Sequence, residues 1–341
     1  MSFRVNVGQL DRYGQQLARM DISGMSPTRS FNNLDSAREE DYHPQDGPIK
    51  IQNPHIATME EDYLYHIALG DKTHDLHEMF NDVKFVCFGG SPTRMLKFAE
   101  FMKEQLRIKI PAGMTLYNIA NGSDRYVIYK TGPVLAVSHG MGIPSLSIIL
   151  HEILKLLQHA ECSGVTLFRI GTSGGLGLEA GSVVITSEAV DGILRPYMEV
   201  AIMGMMVQLP SFLDKELCQE LLAMASEDDH FQTIIGKTMC THDFYEGQAR
   251  LDGAFCDYTQ ADKMAFLRRI HDKGIRNIEM ESLCFAAYCH RANIRGAVIC
   301  VTLLDRLNGD QITTPHSVME EWHNRPQQVV ARFIKKKLGI K

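Results

Sequence analysis

Short apolar runs alternate with amphipathic stretches along most of the chain. VKFVCF (83–88), VLAVSHG (134–140), VTLFRIG (165–171), SVVITSEAV (182–190) and GAVICVTLL (296–304) are rich in β-branched and apolar residues, which predicts strands. Leu146, Ile149, Leu150, Ile153 and Leu157 recur at helical spacing after Pro144, a residue suited to a first helical turn. Val318, Trp322, Val329, Phe333 and Leu338 follow a similar rhythm, interrupted at Pro326, and predict one kinked helix or two. Strands alternating with helices give an α/β fold. Residues 1–50 carry SPTRSFNN and SAREEDYHPQDG with little apolar periodicity, the pattern of a flexible, disordered extension that cannot offset its own ordering entropy. The folded part is therefore expected to run from Ile51 to Lys341, and no internal repeat is visible.

Composition narrows the partners. Hydrophobic residues make up 45% of the 341 and charged ones 22%, ordinary globular usage. The formal net charge is -6, from 35 Lys+Arg against 41 Asp+Glu, so no global basic field draws in nucleic acid or an anionic membrane. The polar opening MSFRVNVGQL does not read as a secretory signal, and no apolar stretch is long enough to span a bilayer. Eight cysteines form no CxxC pair and no zinc spacing, and several, such as Cys87 and Cys300, sit inside apolar runs. They read as reduced core thiols in a cytoplasmic protein.

Three predicted strands run straight into glycine-rich turns, and loops beyond the carboxyl ends of strands are where α/β sheets bind ligands. Gly89-Gly90-Ser91-Pro92-Thr93-Arg94 offers close backbone amides and a guanidinium, a pattern shared by anion sites and by plain strand-to-helix turns. Arg169-Ile170-Gly171-Thr172-Ser173-Gly174-Gly175 is more informative, because its arginine lies within an apolar strand. Ser138-His139-Gly140-Met141-Gly142 is assigned close packing and no direct chemistry. Asp124-Arg125-Tyr126 reads as an edge or interface feature. Phe244, Gln248 and Arg250 bring together an aromatic face, a carboxamide and a guanidinium, which can stack on and pair with a planar heterocycle, though a solvated loop has the same composition. Glu279 and Glu281 alternate and so share one side of an extended segment. Arg306 is placed to pair with either Asp305 or Asp310.

Taken together, GGSPTRM, SDRY, SHGMGIPSLSI, RIGTSGGLGLEAGSVVIT, TMCTHDFYEGQARLDG, NIEMES and VTLLDRLNGDQI occur in the order and at about the spacing of animal uridine phosphorylases, a branch of the nucleoside phosphorylase family. The resemblance covers the chain from about Ile51 onwards. It implies a single three-layer domain with a central mixed, twisted sheet flanked by helices, and the reversible phosphorolysis of uridine to uracil and ribose-1-phosphate in pyrimidine salvage. Inorganic phosphate is then a co-substrate, with no cofactor and no metal. By position, Gly90, Arg94, Arg169 and Thr172 resemble the phosphate site. Arg125 resembles an arginine, and His66 a histidine, that a partner subunit lends across a homodimer. Phe244, Gln248 and Arg250 correspond to the uracil pocket, Met280 and Glu281 to the ribose contacts, Arg306 to a support for the base and Leu303 and Leu304 to its apolar wall. The implied catalytic set is Arg94, Arg169, Gln248, Arg250 and Glu281. Ala249 stands where a glycine is usual, and Asn121 and Ser123 depart from the usual residues before Asp124-Arg125. A nucleosidase using water, a purine-directed relative and a non-catalytic paralogue on the same fold are the rivals.

Overall fold

The structure, a computed structural model, describes residues 42, 44, 46–111 and 113–340. Its strands are β1 (Tyr63–Leu64), β2 (Leu69–Gly70), β3 (Phe85–Gly89), β4 (Ile128–Thr131), β5 (Val134–Ser138), β6 (Thr166–Gly175), β7 (Val183–Val190), β8 (Tyr197–Ile202), β9 (Met205–Pro210), β10 (Thr233–Cys240), β11 (Ile275–Glu279) and β12 (Arg295–Asp305). Its α-helices are α1 (Leu76–Phe80), α2 (Pro92–Gln105), α3 (Gly142–His159), α4 (Lys215–Leu222), α5 (Gln260–Asp272), α6 (Ser282–Ala292) and α7 (His316–Lys337).

Eight strands form one sheet in the order β11-β10-β7-β12-β6-β3-β5-β4, while β1 with β2 and β8 with β9 make separate hairpins. The sheet is mixed: β3 is parallel to β5 and β6, and β6 to β12, but β7 runs antiparallel to β12 and β4 to β5. A register shift in β10 between Lys237 and Thr238 adds local bend. The far edge curls back until Asn277 and Ile278 of β11 pair with Gly175 and Gly174 of β6.

Alternation decides what each face buries. Val86 and Phe88 of β3 pack with Leu146 and Ile149 of α3 and Phe285 of α6. Phe85 and Cys87, pointing the other way, pack with Phe98 of α2, Leu217 of α4 and Val330 of α7. Both faces of the sheet are thus covered, giving the expected three layers. A smaller cluster lies under α5, where Leu267 and Ile270 meet Ile275 and Ile278.

Local expectations fare unevenly. The helix after Pro144 begins at Gly142, leaving the proline in its first turn. Of the two readings of the closing segment, a single helix through Pro326 holds, and its buried stripe is Val329, Val330, Phe333 and Ile334, with Val318 exposed. The packed body reaches back past Ile51: Ile49 N–H donates to Cys162 O at 3.1 Å and Tyr42 Oη to Ile294 O at 2.5 Å. Most of the predicted disordered extension, residues 1–41, lies outside the described residues. Seven cysteines are buried, and Cys256, read with them as a core thiol, is exposed. Among the described residues no helix is long and apolar enough to cross a membrane.

Candidate active site

The carboxyl ends of β3, β5, β6, β11 and β12 open into one cavity of about 220 Å³, and the 244–250 segment and Ile312 complete its wall. It gathers Gly90, Arg94, Arg169, Thr172, Phe244, Gln248, Arg250, Met280, Glu281, Leu303, Leu304 and Arg306. Of the expected site residues, His66 and Arg125 lie elsewhere. His66 Nδ1 contacts Glu152 Oε1 at 2.7 Å, while Arg125 is exposed, with Nε 3.4 Å from Asp124 Oδ1.

One end of the cavity holds two guanidiniums, of which Arg169 is paired with two carboxylates and Arg94 with none. Arg169 is buried, with Nη2 2.9 Å from Glu279 Oε2 and also bonded to Glu281 Oε2, while Nη1 lies 3.0 Å from Cys300 Sγ. Its Nε has no partner among the described residues. A methyl on Gly171 would sit 2.5 Å from Arg169 Nη1, so glycine lets the guanidinium fold over the β6 backbone. Glu279 ends β11, and its carboxylate takes the Glu281 and Ser282 N–H groups at 2.9 Å, capping the start of α6. Glu281 Oε1 accepts the Gly142 N–H at 2.5 Å, tying α3 to the same cluster. Burial pushes the Glu279 carboxyl up against the pull of Arg169. For Glu281, burial opposes ionisation too, but Arg169 and the Gly142 N–H bring it below the ordinary range. Arg94, half-buried on the first turn of α2, has no carboxylate partner among the described residues. Burial and then the neighbouring Arg169 lower its pKa, so an anion between the two guanidiniums relieves both.

The other end reads planar polar edges. Thr241 Oγ1 donates to Asp243 O at 2.7 Å, so it can only accept from Gln248, whose Nε2 is 3.1 Å away. That fixes the amide and leaves Oε1 as a free acceptor. Arg250 is held by Asp252 (Nε–Oδ1 2.8 Å, Nη2–Oδ2 2.7 Å) and by Asp310 O at 2.6 Å, with its guanidinium carbon 4.4 Å above the Phe244 ring. Between the two readers, Ala249 takes the left-handed conformation at φ 53, which costs a non-glycine residue about 1–2 kcal/mol.

Arg306 is fully buried and chooses Asp310, not Asp305: Nη2 lies 3.0 Å from Asp310 Oδ1 and donates to Gln248 O at 2.8 Å. Its Nη1 has no partner among the described residues. Asp310 also meets Lys263 Nζ at 2.8 Å and the Leu251 N–H at 3.0 Å. We expect Asp310→Asn to destabilise the protein by about 3–5 kcal/mol, since it strands two buried cations, and urea denaturation with an unchanged midpoint would refute this.

Sequence reasoning singled out Glu279 without a partner and left Asp310 as one of two for Arg306, and it gave the 139–141 turn no place in the site, although Glu279 and that turn line the cavity and Asp310 holds Arg306 behind it. The turn after β5 was assigned packing alone, yet His139, Gly140 and Met141 line the cavity and Gly142 binds Glu281. The available signal was a histidine closing an apolar strand ahead of two glycines.

The sequence profile of the phosphorylase superfamily matches residues 84–335. Mouse uridine phosphorylase 1 is 53% identical over 303 residues, which cover 89% of this chain and 97% of that protein. Human uridine phosphorylase 2 is 53% identical over 292 residues, 86% of this chain and 92% of the other. The crystal structure of a Schistosoma mansoni uridine phosphorylase in complex with uracil superposes with a TM-score of 0.79 at 39% identity, over 85% of this chain and 99% of that one. With identities this high over nearly whole lengths, the chain belongs to the phosphorylase superfamily and, within it, to the uridine phosphorylases.

Proposed function

We propose that the cavity carries out the phosphorolysis of uridine, with phosphate at the Arg94 end, uracil at the Gln248 end and ribose between them over Met280 and Glu281. The observation that carries this is the partition of the site. One end offers Arg94 without a carboxylate partner and the open Nε of Arg169, while the other offers a fixed amide beside guanidiniums already held in place.

A phosphate oxygen forms a bond to the anomeric carbon as the bond from that carbon to uracil N1 breaks, and the bonding pair leaves with the base. Uracil spreads that charge over its ring and carbonyl oxygens, and takes a proton from solvent after release. Arg94, Gly90, Thr172 and Arg169 Nε hold the phosphate in line, which turns an encounter into an oriented reaction. Gln248 Oε1 accepts the ring N–H, and Arg250 and the open Nη1 of Arg306 stand beside the charge that develops on the base. Glu281, kept ionised by Arg169, takes ribose hydroxyl hydrogens and favours the cationic character of the sugar in the transition state. The reading calls on no metal or organic cofactor. It also takes the active unit as a cytoplasmic homodimer: Glu152 binds His66 Nδ1, and Arg125 is exposed at the surface beside the likewise exposed Asp124.

Release of uracil from uridine that depends on inorganic phosphate is the test. Release in water alone favours a nucleosidase, faster cleavage of inosine favours a purine enzyme, and no release at all favours a non-catalytic paralogue. Gln248→Ala should lower kcat/KM for uridine by roughly 10- to 100-fold, the worth of one unpaired polar edge, with the phosphate KM little changed. A phosphate KM that rises as much as the uridine KM would detach Gln248 from the base.

A further inference from the structure

His139 is the one buried polar ring in the cavity wall that the mechanism leaves unused. It follows β5, is 1% exposed, and neither ring nitrogen hydrogen-bonds to another of the described residues. Such a group costs stability unless something bound supplies its partner. Its place is the anion corner: a methyl built on Gly90 would lie 3.8 Å from His139 Cε1 and 3.3 Å from Arg94 Nη2. Burial, and after it Arg169, lower its pKa to about 3, so the ring is neutral at physiological pH.

A neutral imidazole presents one donor and one lone pair. The guanidiniums of Arg94 and Arg169 accept nothing, so the acceptors at this corner are the imidazole, the Thr172 hydroxyl and the Gly140 carbonyl oxygen, which a methyl built on Gly90 would meet at 3.2 Å. Monohydrogen phosphate carries a P–OH hydrogen that needs an acceptor. The nearby carboxylate of Glu281 already receives Arg169 and the Gly142 N–H, and a second carboxylate here would repel a dianion. A neutral ring accepts without repelling. Building on the phosphorolysis reading above, we propose that His139 is a further phosphate ligand, whose ring nitrogen accepts the P–OH hydrogen and so selects phosphate over sulfate. Sulfate has the same shape but no hydrogen at neutral pH, and it turns an oxygen toward the lone pair.

The test compares wild type, His139→Leu and His139→Gln as full chains, reading the phosphate KM, the uridine KM and sulfate as an inhibitor competitive with phosphate. The leucine variant should raise the phosphate KM roughly tenfold, leave the uridine KM within about twofold and leave the sulfate inhibition constant unchanged or lower, so that the preference shrinks. Glutamine, which keeps an acceptor, should restore part of it. Phosphate and sulfate weakening together would make the ring a donor and overturn the proposal, as would no change in either. Should the leucine variant not fold, wild-type protein with 15N-labelled histidine decides: phosphate should move the unprotonated His139 nitrogen upfield, and no movement overturns the proposal. Wild type that releases no uracil with phosphate present ends the phosphorolysis reading instead, and the nitrogen signal still judges His139.

Discussion

Arg169→Ala should cost the protein both stability and turnover, whereas Arg94→Ala should cost turnover alone. The two arginines stand side by side in the cavity, but their partners differ. Arg169 is the cation between two buried carboxylates, Glu279 at 4% and Glu281 at 5% exposure. Its removal strands both and should destabilise the fold by about 3–5 kcal/mol. The sign of the pH dependence follows. Without Arg169 the folded-state pKa of each carboxyl rises above its unfolded value, so folding takes up protons, and the variant regains stability as pH falls through those raised values. The deficit in urea midpoint against wild type should therefore be largest near neutral pH and shrink on acidification. Arg94 holds no carboxylate, so its alanine variant should unfold near the wild-type midpoint while kcat/KM for phosphate falls on the order of 10²–10³-fold. A stable Arg169→Ala protein with an ordinary midpoint, or an Arg94→Ala protein with unaltered phosphate dependence, would contradict this division of labour.

That division was not legible along the chain. The strands were, because apolar runs buried on two faces leave local marks, but the 171–175 segment read as a turn instead continues β6, paired with β12. The phosphate-side residues Gly90, Arg94, Arg169 and Thr172 could be picked out by the resemblance of GGSPTRM and RIGTSGGLGLEAGSVVIT, and the base-side residues by that of FYEGQARLDG. Partner choice could not. Arg306 had Asp305 beside it and Asp310 four residues on, and only the fold brings Asp310 to meet Arg306, Lys263 and Leu251 at once. Glu279 and Glu281 do face one way, but not through strand alternation: β11 stops at Glu279 and Glu281 starts α6, so the two carboxylates converge on Arg169 from different elements. His139 was hidden by its glycines, which suggested packing while their φ values of 70 and 81 swing the chain around the cavity edge.

The same limit applies to the subunit question, where the positions are visible and the assembly is not. His66 and Arg125 are outside the cavity of their own chain, so if they act in catalysis they do so in a neighbour's site. A symmetric dimer makes this testable by mixing lesions, because a two-fold axis gives each site one set of residues from either chain. Arg125→Ala and Arg94→Ala chains should each be nearly inactive alone. Co-expressed, they form hybrids in which one site carries both lesions and the other carries neither, since intact Arg125 then reaches intact Arg94 across the axis. With random pairing, half of the dimers are hybrids, each with one intact site of two, so activity should return to roughly a quarter of wild type. Arg94→Ala is the better partner for this purpose than Arg169→Ala, since its chain keeps the buried ion cluster and should fold normally. Hybrids confirmed by native mass spectrometry that stay as inactive as their parents would place Arg125 in its own subunit's chemistry or in none.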